Sequence, residues 1–94
     1  MTVLVEDNPA RNRFEILIDD GLAGFASYRP GPAAVTVTHT EIDPAYRGRG
    51  AGDALAHGLL SELRDRGERV VPQCSFIAAY IDRHPEFAEL VAGD

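Results

Sequence analysis

Glu41-Ile42-Asp43-Pro44-Ala45-Tyr46-Arg47-Gly48-Arg49-Gly50-Ala51-Gly52 is the pivot of the chain. An extended run, Ala34 to Ile42, leads into it, and an apolar-striped helical run, Leu55 to Arg66, leaves it. Between them three glycines stand at alternate positions, Gly48, Gly50 and Gly52, flanked by Arg47 and Arg49. A strand that passes through a tight glycine turn into a helix makes an anion site. The first N–H groups of the helix have no intrahelical acceptor, and the helix dipole places partial positive charge there. Glycine adds close backbone approach and access to φ > 0. The stretch therefore predicts a phosphate cradle.

The residues before it read as an antiparallel meander. Val3 to Glu6 forms a short edge strand, and Asp7-Asn8-Pro9 breaks it. Arg13 to Ile18 alternates, with Phe14, Ile16 and Ile18 on one face. Asp19-Asp20-Gly21 supplies a hairpin turn, since Asp and Gly tolerate the positive φ of primed turns, and Leu22 to Tyr28 returns as the partner strand. After the turn Arg29-Pro-Gly-Pro32, the β-branched Val35-Thr-Val-Thr-His-Thr40 reads as another strand, which Pro44 ends.

The residues after it read as β-α-β-α. Leu55, Leu59 and Leu63, with Ala51, Ala56 and Leu60 beside them, give a helical stripe, and Gly67 is a C′ residue that ends the helix near Arg66. Gly58 inside that helix costs roughly 1 kcal/mol against Ala and points to close packing on the sheet. Arg69 to Gln73 is a further strand, parallel to the one before the loop because a helix joins them. Ser75 is placed to N-cap a helix that runs to Arg83, His84-Pro85 stops it, and Glu86 to Val91 adds a last turn or two. The expected fold class is thus α+β with an α/β half, in one domain over residues 1–94. The glycine loop and Cys74 fall at the C-terminal ends of two parallel strands, the usual ligand position in such units.

Composition narrows the ligand. Nine basic residues against fifteen acidic ones give a net charge of −6, which argues against non-specific binding to nucleic acid or an acidic membrane. It suits a small molecule or a basic partner such as an amine. All the basic residues are arginine. Cys74 is the lone cysteine, so neither an intrachain disulfide nor a four-thiolate zinc site is available, and no His/Asp/Glu spacing suggests a metal. The N-terminus has no basic region followed by a long apolar run, and no window reaches the roughly 18 apolar residues of a spanning helix. The expectation is a cytoplasmic protein.

Two nucleotide readings of the loop fail. A P-loop needs Gly-Lys-Ser/Thr after its glycines, and here Gly52 is followed by Asp53. A dinucleotide loop needs a third glycine where Asp53 stands, and an acid at the end of the next strand, where the chain has Pro72-Gln73. The stretch Ile42-Asp-Pro-x-Tyr-Arg-Gly-x-Gly-x-Gly52, with an amphipathic helix after it, instead resembles motif A of the GNAT superfamily of acetyl-CoA-dependent N-acetyltransferases. Its core Arg-x-x-Gly-x-Gly is Arg47, Gly50 and Gly52. The match continues through Gln73-Cys-Ser-Phe76 and Tyr80, covering about residues 34 to 91. More narrowly the chain resembles the small, single-domain branch, on its length, Thr38-His39-Thr40, Cys74-Ser75 and His84-Pro85-Glu86-Phe87. Larger members insert two helices after the first strand; Val3 to Phe14 leaves no room for them, which implies an open acceptor site.

That resemblance implies a GNAT-like fold whose parallel strand pair splays around CoA. It implies acetyl transfer from acetyl-CoA to an amine acceptor, either a small amine or a basic protein or peptide. No metal is involved. The rival is a non-catalytic module of the same fold that binds CoA or acyl-CoA as a sensor or interaction domain. The cofactor-binding set implied is Thr40 and Ile42 through their main chain, the loop Arg47, Gly48, Arg49, Gly50, Ala51 and Gly52, and Ser75 and Arg83. Arg47, Arg49 and Arg83 have an alternative as solvated charges, and the glycines as a mere tight turn. Three roles are open to Cys74: a nucleophile, a weak acid toward the CoA thiolate, or an inert buried thiol. His39, on the neighbouring parallel strand, could face Cys74 and act as base toward it or toward the amine, or be a hydrogen-bonded strand residue. Tyr80 matches the family's thiolate-protonating tyrosine, with helix packing as the other reading. His57 and His84 read as surface residues.

Overall fold

The computed structural model describes residues 2–92. Strands β1 (Val3–Asn8), β2 (Arg13–Ile18), β3 (Gly21–Arg29) and β4 (Ala34–Ile42) form an antiparallel meander. Helix α1 (Ala51–Asp65) then crosses to β5 (Arg69–Pro72), which lies parallel to β4, and α2 (Ser75–Arg83) follows. The strands stand in chain order across one mixed sheet, β1-β2-β3-β4-β5. This is the α+β arrangement expected, a meander followed by β-α-β-α.

The alternation of β2 explains how the sheet finds its core. Phe14, Ile16 and Ile18 turn to one face, joined by Ala26 and Tyr28 of β3, Val35 and Val37 of β4 and Val70 of β5. Leu55, Leu59, Leu60 and Leu63 of α1 and Ile77, Tyr80 and Ile81 of α2 bury against them. Each fully buried aliphatic side chain here contributes about 1.5–3 kcal/mol relative to exposure. Gly58 is the close-packing point: a Cβ there would lie 2.6 Å from Val5 Cβ. On the opposite face, Leu17 and Phe25 are half-buried, while Leu4 and Leu22 are exposed.

Several boundaries differ from the sequence reading. β1 runs through Asp7 and Asn8, and the break is the 3-10 turn Pro9–Arg11 closed by Asn12 at φ 50°. Pairing with Phe14 and Arg13 keeps Asp7 and Asn8 extended despite their turn propensity. The hairpin turn is Asp19 and Asp20, both left-handed at φ 50° and 69°, and Gly21 already belongs to β3. The last segment, Pro85–Leu90, is a 3-10 helix. At α2 the N-cap position belongs to Cys74, so Ser75 is the first helical residue and caps nothing.

Two bulges shape the sheet. One lies between Ile16 and Leu17 on β2, where β3 carries an extra residue, Ala23. The other lies where Ser27 pairs with His39 and Tyr28 with Val37, leaving Thr38 as the extra residue of β4. Thr38 Oγ1 donates to the Ser27 carbonyl at 3.3 Å, tying the bulge down. A bulge inserts one residue and so reverses which alternate residues face inward. Val35 and Val37 face the core before it, whereas Thr40 and Ile42, opposite Ala26 and Gly24, face inward after it.

Candidate functional site

The glycine loop is built from its backbone angles. Asp43 Oδ1 accepts from the Ala45 N–H at 2.9 Å and opens a 3-10 turn, Pro44–Tyr46, that carries the chain off β4. Gly48 and Gly50 then take φ +79° and +75°, and a Cβ at either would meet nothing within 4 Å. Glycine is needed there for conformation, and the space above the backbone stays open. Gly50 is the N-cap of α1, and the first helical bond runs from the Ala54 N–H to its carbonyl at 3.0 Å. The earlier N–H groups of the helix face a cavity of about 370 Å³ between Ile42, Tyr46, the glycines and Phe76. Arg47 lines it, and Arg49 lies 5.7 Å from the ring centre of Tyr46, itself a lining residue.

Gly52 has a different reason. It lies inside α1, and a Cβ would come 2.8 Å from Phe76 Cζ, so the third glycine admits an aromatic ring from α2. Asp53, unfavourable to an anion at this helix end, is offset by Arg83 at 3.6 Å. The cradle therefore offers open backbone, a helix N-terminus and surplus positive charge, the features that suit a phosphate-bearing ligand.

The far end of the cleft forms where β4 and β5 part. Their pairing runs from Ala34–Arg69 to Val37–Pro72, and the Cys74 N–H adds a last bond to the Val37 carbonyl at 3.0 Å. β4 continues to Ile42 against β3 alone. The Asp43 N–H donates toward β3, to the Ala23 carbonyl at 2.8 Å. Strand alternation then turns the N–H groups of Thr40 and Ile42 to the other side, into the gap beside β5.

Cys74 Sγ lies in that gap, 3.3 Å from Thr40 Oγ1. Burial pushes the thiol's pKa up. The Thr40 hydroxyl and the Ile77, Phe76 and Thr40 N–H groups outweigh it, and the net shift is downward. The Thr40 hydroxyl leads that lowering, and the N-cap position adds to it by placing the Ile77 and Phe76 N–H groups of α2 near the sulfur, although the thiol itself makes no capping hydrogen bond.

His39 is not where alternation along an unbroken strand would put it. The Thr38 bulge turns it to the outer face, 61% exposed, 3.8 Å from Glu41 and with its ring 6.3 Å from that of Phe25. The expected facing of His39 and Cys74 is thereby corrected: Thr40 meets the thiol, and no hydrogen bond joins His39 to Cys74.

Tyr80 is buried between α1 and the last helical segment. Its hydroxyl lies 3.5 Å from His57 Nδ1, its ring stacks on His84 at 3.9 Å, and Phe87 lies beyond at 6.2 Å. Burial, with Asp53 and Glu86 nearby, raises its pKa and keeps the phenol protonated. Ser75 is exposed. Sequence reasoning missed Phe76 and the histidines as partners of the site. His84 could have been found from its i, i+4 spacing to Tyr80, whereas the Phe76 and His57 contacts cross between helices and leave no local signal.

Among the described residues no group of three or more His, Cys, Asp or Glu is placed to hold a metal ion, and no helix is long and apolar enough to cross a membrane. A family model described as GCN5-related N-acetyl-transferase matches residues 13–90. No curated protein matches the sequence significantly. Among solved structures, a GCN5-like protein from Staphylococcus aureus superposes with TM-score 0.70 at 17% identity, covering 97% of this chain and 89% of its own. A GNAT-family protein from Desulfovibrio desulfuricans superposes with TM-score 0.52 at 21% identity over 82% of this chain. A ribosomal-protein-alanine N-acetyltransferase from Brucella melitensis biovar Abortus 2308 does so with TM-score 0.53 at 22% identity over 87%. The chain spans only 51% and 62% of those last two, so they share its fold as part of larger proteins.

Proposed function

The chain belongs to the GCN5-related N-acetyltransferase family, and from that premise we propose that it transfers an acetyl group from acetyl-CoA to an amine. The observation that carries the proposal is a continuous path. β4 leads from the Cys74 thiol, where β5 leaves it, to the open left-handed backbone of Gly48 and Gly50. Acetyl-CoA supplies a thioester, whose carbonyl must be polarised and whose sulfur must leave as a thiol.

In this reading Gly48, Gly50, Ala51 and Gly52 hold the diphosphate with Arg47 and Arg49, and Arg83 stays close by through Asp53. The Thr40 and Ile42 N–H groups, free of β5, are the hydrogen-bond donors along the cleft. Phe76 walls its α2 side, and Ser75, exposed in the first turn of α2, is the further contact in this reading.

Cys74 is the leading catalytic candidate, because its lowered pKa raises the thiolate fraction. That suits a covalent role or a proton exchange at the leaving sulfur. His39, turned outward, serves as base toward an acceptor amine on the outer face. Tyr80, held protonated, is the second candidate donor.

Mass spectrometry after incubation with acetyl-CoA and a mixed pool of amines and peptides tests the proposal. The expected result is an acetylated amine whose yield falls in both Cys74→Ala and Gly50→Glu. CoA binding with no acetyl transfer to any member of the pool would make the chain a binding module.

A further inference from the structure

A second cavity, of about 340 Å³, opens beside the outer ends of β3 and β4. It is within the range of small-ligand sites, about 300–1,000 Å³. Its apolar lining residues are Leu22, Phe25, Ile42 and Pro44, and its charged ones are Glu41, Asp43 and Arg47. Ile42 and Arg47 also line the glycine-loop cavity, so the end of β4 is a partition between the two.

We infer that this cavity seats a cationic group of the acceptor, and that the acceptor is a small aliphatic amine carrying a second positive charge. The inference rests on the acetyl-transfer reading. Three features lead to it. Methylenes match walls of Leu, Ile, Pro and Phe, and an ammonium matches two carboxylates that have no strong internal partner. Glu41 is 63% exposed and lies 3.8 Å from His39. Asp43 uses Oδ1 as a cap for Ala45 and leaves Oδ2 without a partner among the described residues. Arg47 is the only basic residue of the lining, against two acidic ones, and it also lines the glycine-loop cavity. Arg13, which lies 4.5 Å from the Phe25 ring centre, is itself held by Glu15 at 2.8 Å.

The second feature is position. His39 lies on the same outer face, against Phe25 and Glu41, so a chain anchored at Glu41 and Asp43 runs past the group assigned as its base. The third is the whole-molecule charge of −6, which steers a dication more strongly than a monocation.

Diaminobutane and butylamine provide the comparison, since they share a carbon chain and differ at its far end. With acetyl-CoA saturating, diaminobutane should have the higher kcat/KM by about tenfold at low salt, and the preference should shrink as salt rises. In a Glu41→Gln, Asp43→Asn double variant, which keeps an Asn cap for Ala45, the two amines should become equivalent. Equal kcat/KM in the parent protein, or a preference that survives the double substitution, overturns the seat while leaving acetyl transfer standing. A lysine peptide used about tenfold better than diaminobutane overturns the small-amine assignment. Calorimetry of diaminobutane on the CoA-saturated protein reads the seat without chemistry. Binding that is lost in the double variant supports it even if no amine is acetylated, and absence of binding refutes it.

Discussion

Gly50 holds φ +75° and ψ 15° at the N-cap of α1, and a Cβ built on it meets nothing within 4 Å. Gly50→Ala therefore carries only the backbone cost of an L-residue in the left-handed region, about 1–2 kcal/mol. For a chain of this size each kcal/mol lowers Tm by about 4–8 °C. Gly50→Glu carries the same backbone cost and also places a carboxylate in the space where a diphosphate would approach. Unit charges about 5 Å apart at an effective dielectric of roughly 20 to 80 repel by about 1–3 kcal/mol. That corresponds to a loss of about fivefold to a hundredfold in affinity for CoA. Scanning calorimetry and CoA titration of the parent and both variants separate the two terms. The variants should lose similar stability, while Gly50→Glu should lose the additional affinity. Equal CoA affinity in Gly50→Glu and Gly50→Ala would remove the loop from the phosphate site. A stability loss several times larger in Gly50→Glu would show that the space is not open.

Other consequences concern packing and titration. Gly58→Ala gains about 1 kcal/mol of helix propensity but drives its Cβ into Val5, an overpacking cost of about 1–3 kcal/mol. Urea denaturation should show net destabilisation with Val5 present and stabilisation in a Val5→Gly background, which removes the clashing Cβ as well as the methyls, and the same sign in both contradicts the contact. Thr40→Val removes a hydrogen bond that opposes burial at Cys74, so its thiol pKa should rise. The pH midpoint of alkylation reads this, and an unmoved midpoint would deny the contact. Tyr28 donates to Asp7 Oδ1 at 2.6 Å, and burial first, then that bond, push its pKa up to about 12. A pKa raised from the ordinary value of 10.0 contributes stability that is complete below pH 10 and lost as pH rises through 12. About 2–3 kcal/mol should disappear across that window, and Tyr28→Phe should flatten the slope there. An unchanged slope in Tyr28→Phe would assign the loss to other groups.

The loop and the elements around it were legible because each carries a local signal. Glycine at alternate positions, the period of Leu55, Leu59 and Leu63, and the alternation of Phe14, Ile16 and Ile18 need no tertiary knowledge. The Thr38 bulge leaves no such mark. Val35 to Thr40 alternates as an unbroken strand would, and the bulge is fixed by pairing with Ser27 on another strand. Missing it put His39 on the wrong face, toward Cys74.

The cap of α2 was misread for a related reason. Ser outranks Cys as an N-cap, but the N–H of Cys74 is tied to Val37, which fixes where the helix starts. That tie gives the thiol its helix-end N–H groups. Gly52 reads from the sequence as one more glycine of the phosphate loop, and its crowding against Phe76 is a contact between helices that composition does not encode.

The central claim is that the glycine loop receives CoA and aims its thiol end along β4 toward Cys74. Titration of isotope-labelled protein with CoA, followed by backbone amide NMR, tests it most directly. The largest shifts should fall on Gly48, Gly50, Ala51 and Gly52, with a second set at Thr40, Ile42 and Cys74. Saturable binding that leaves those amides unmoved, or no binding at all, would contradict the account.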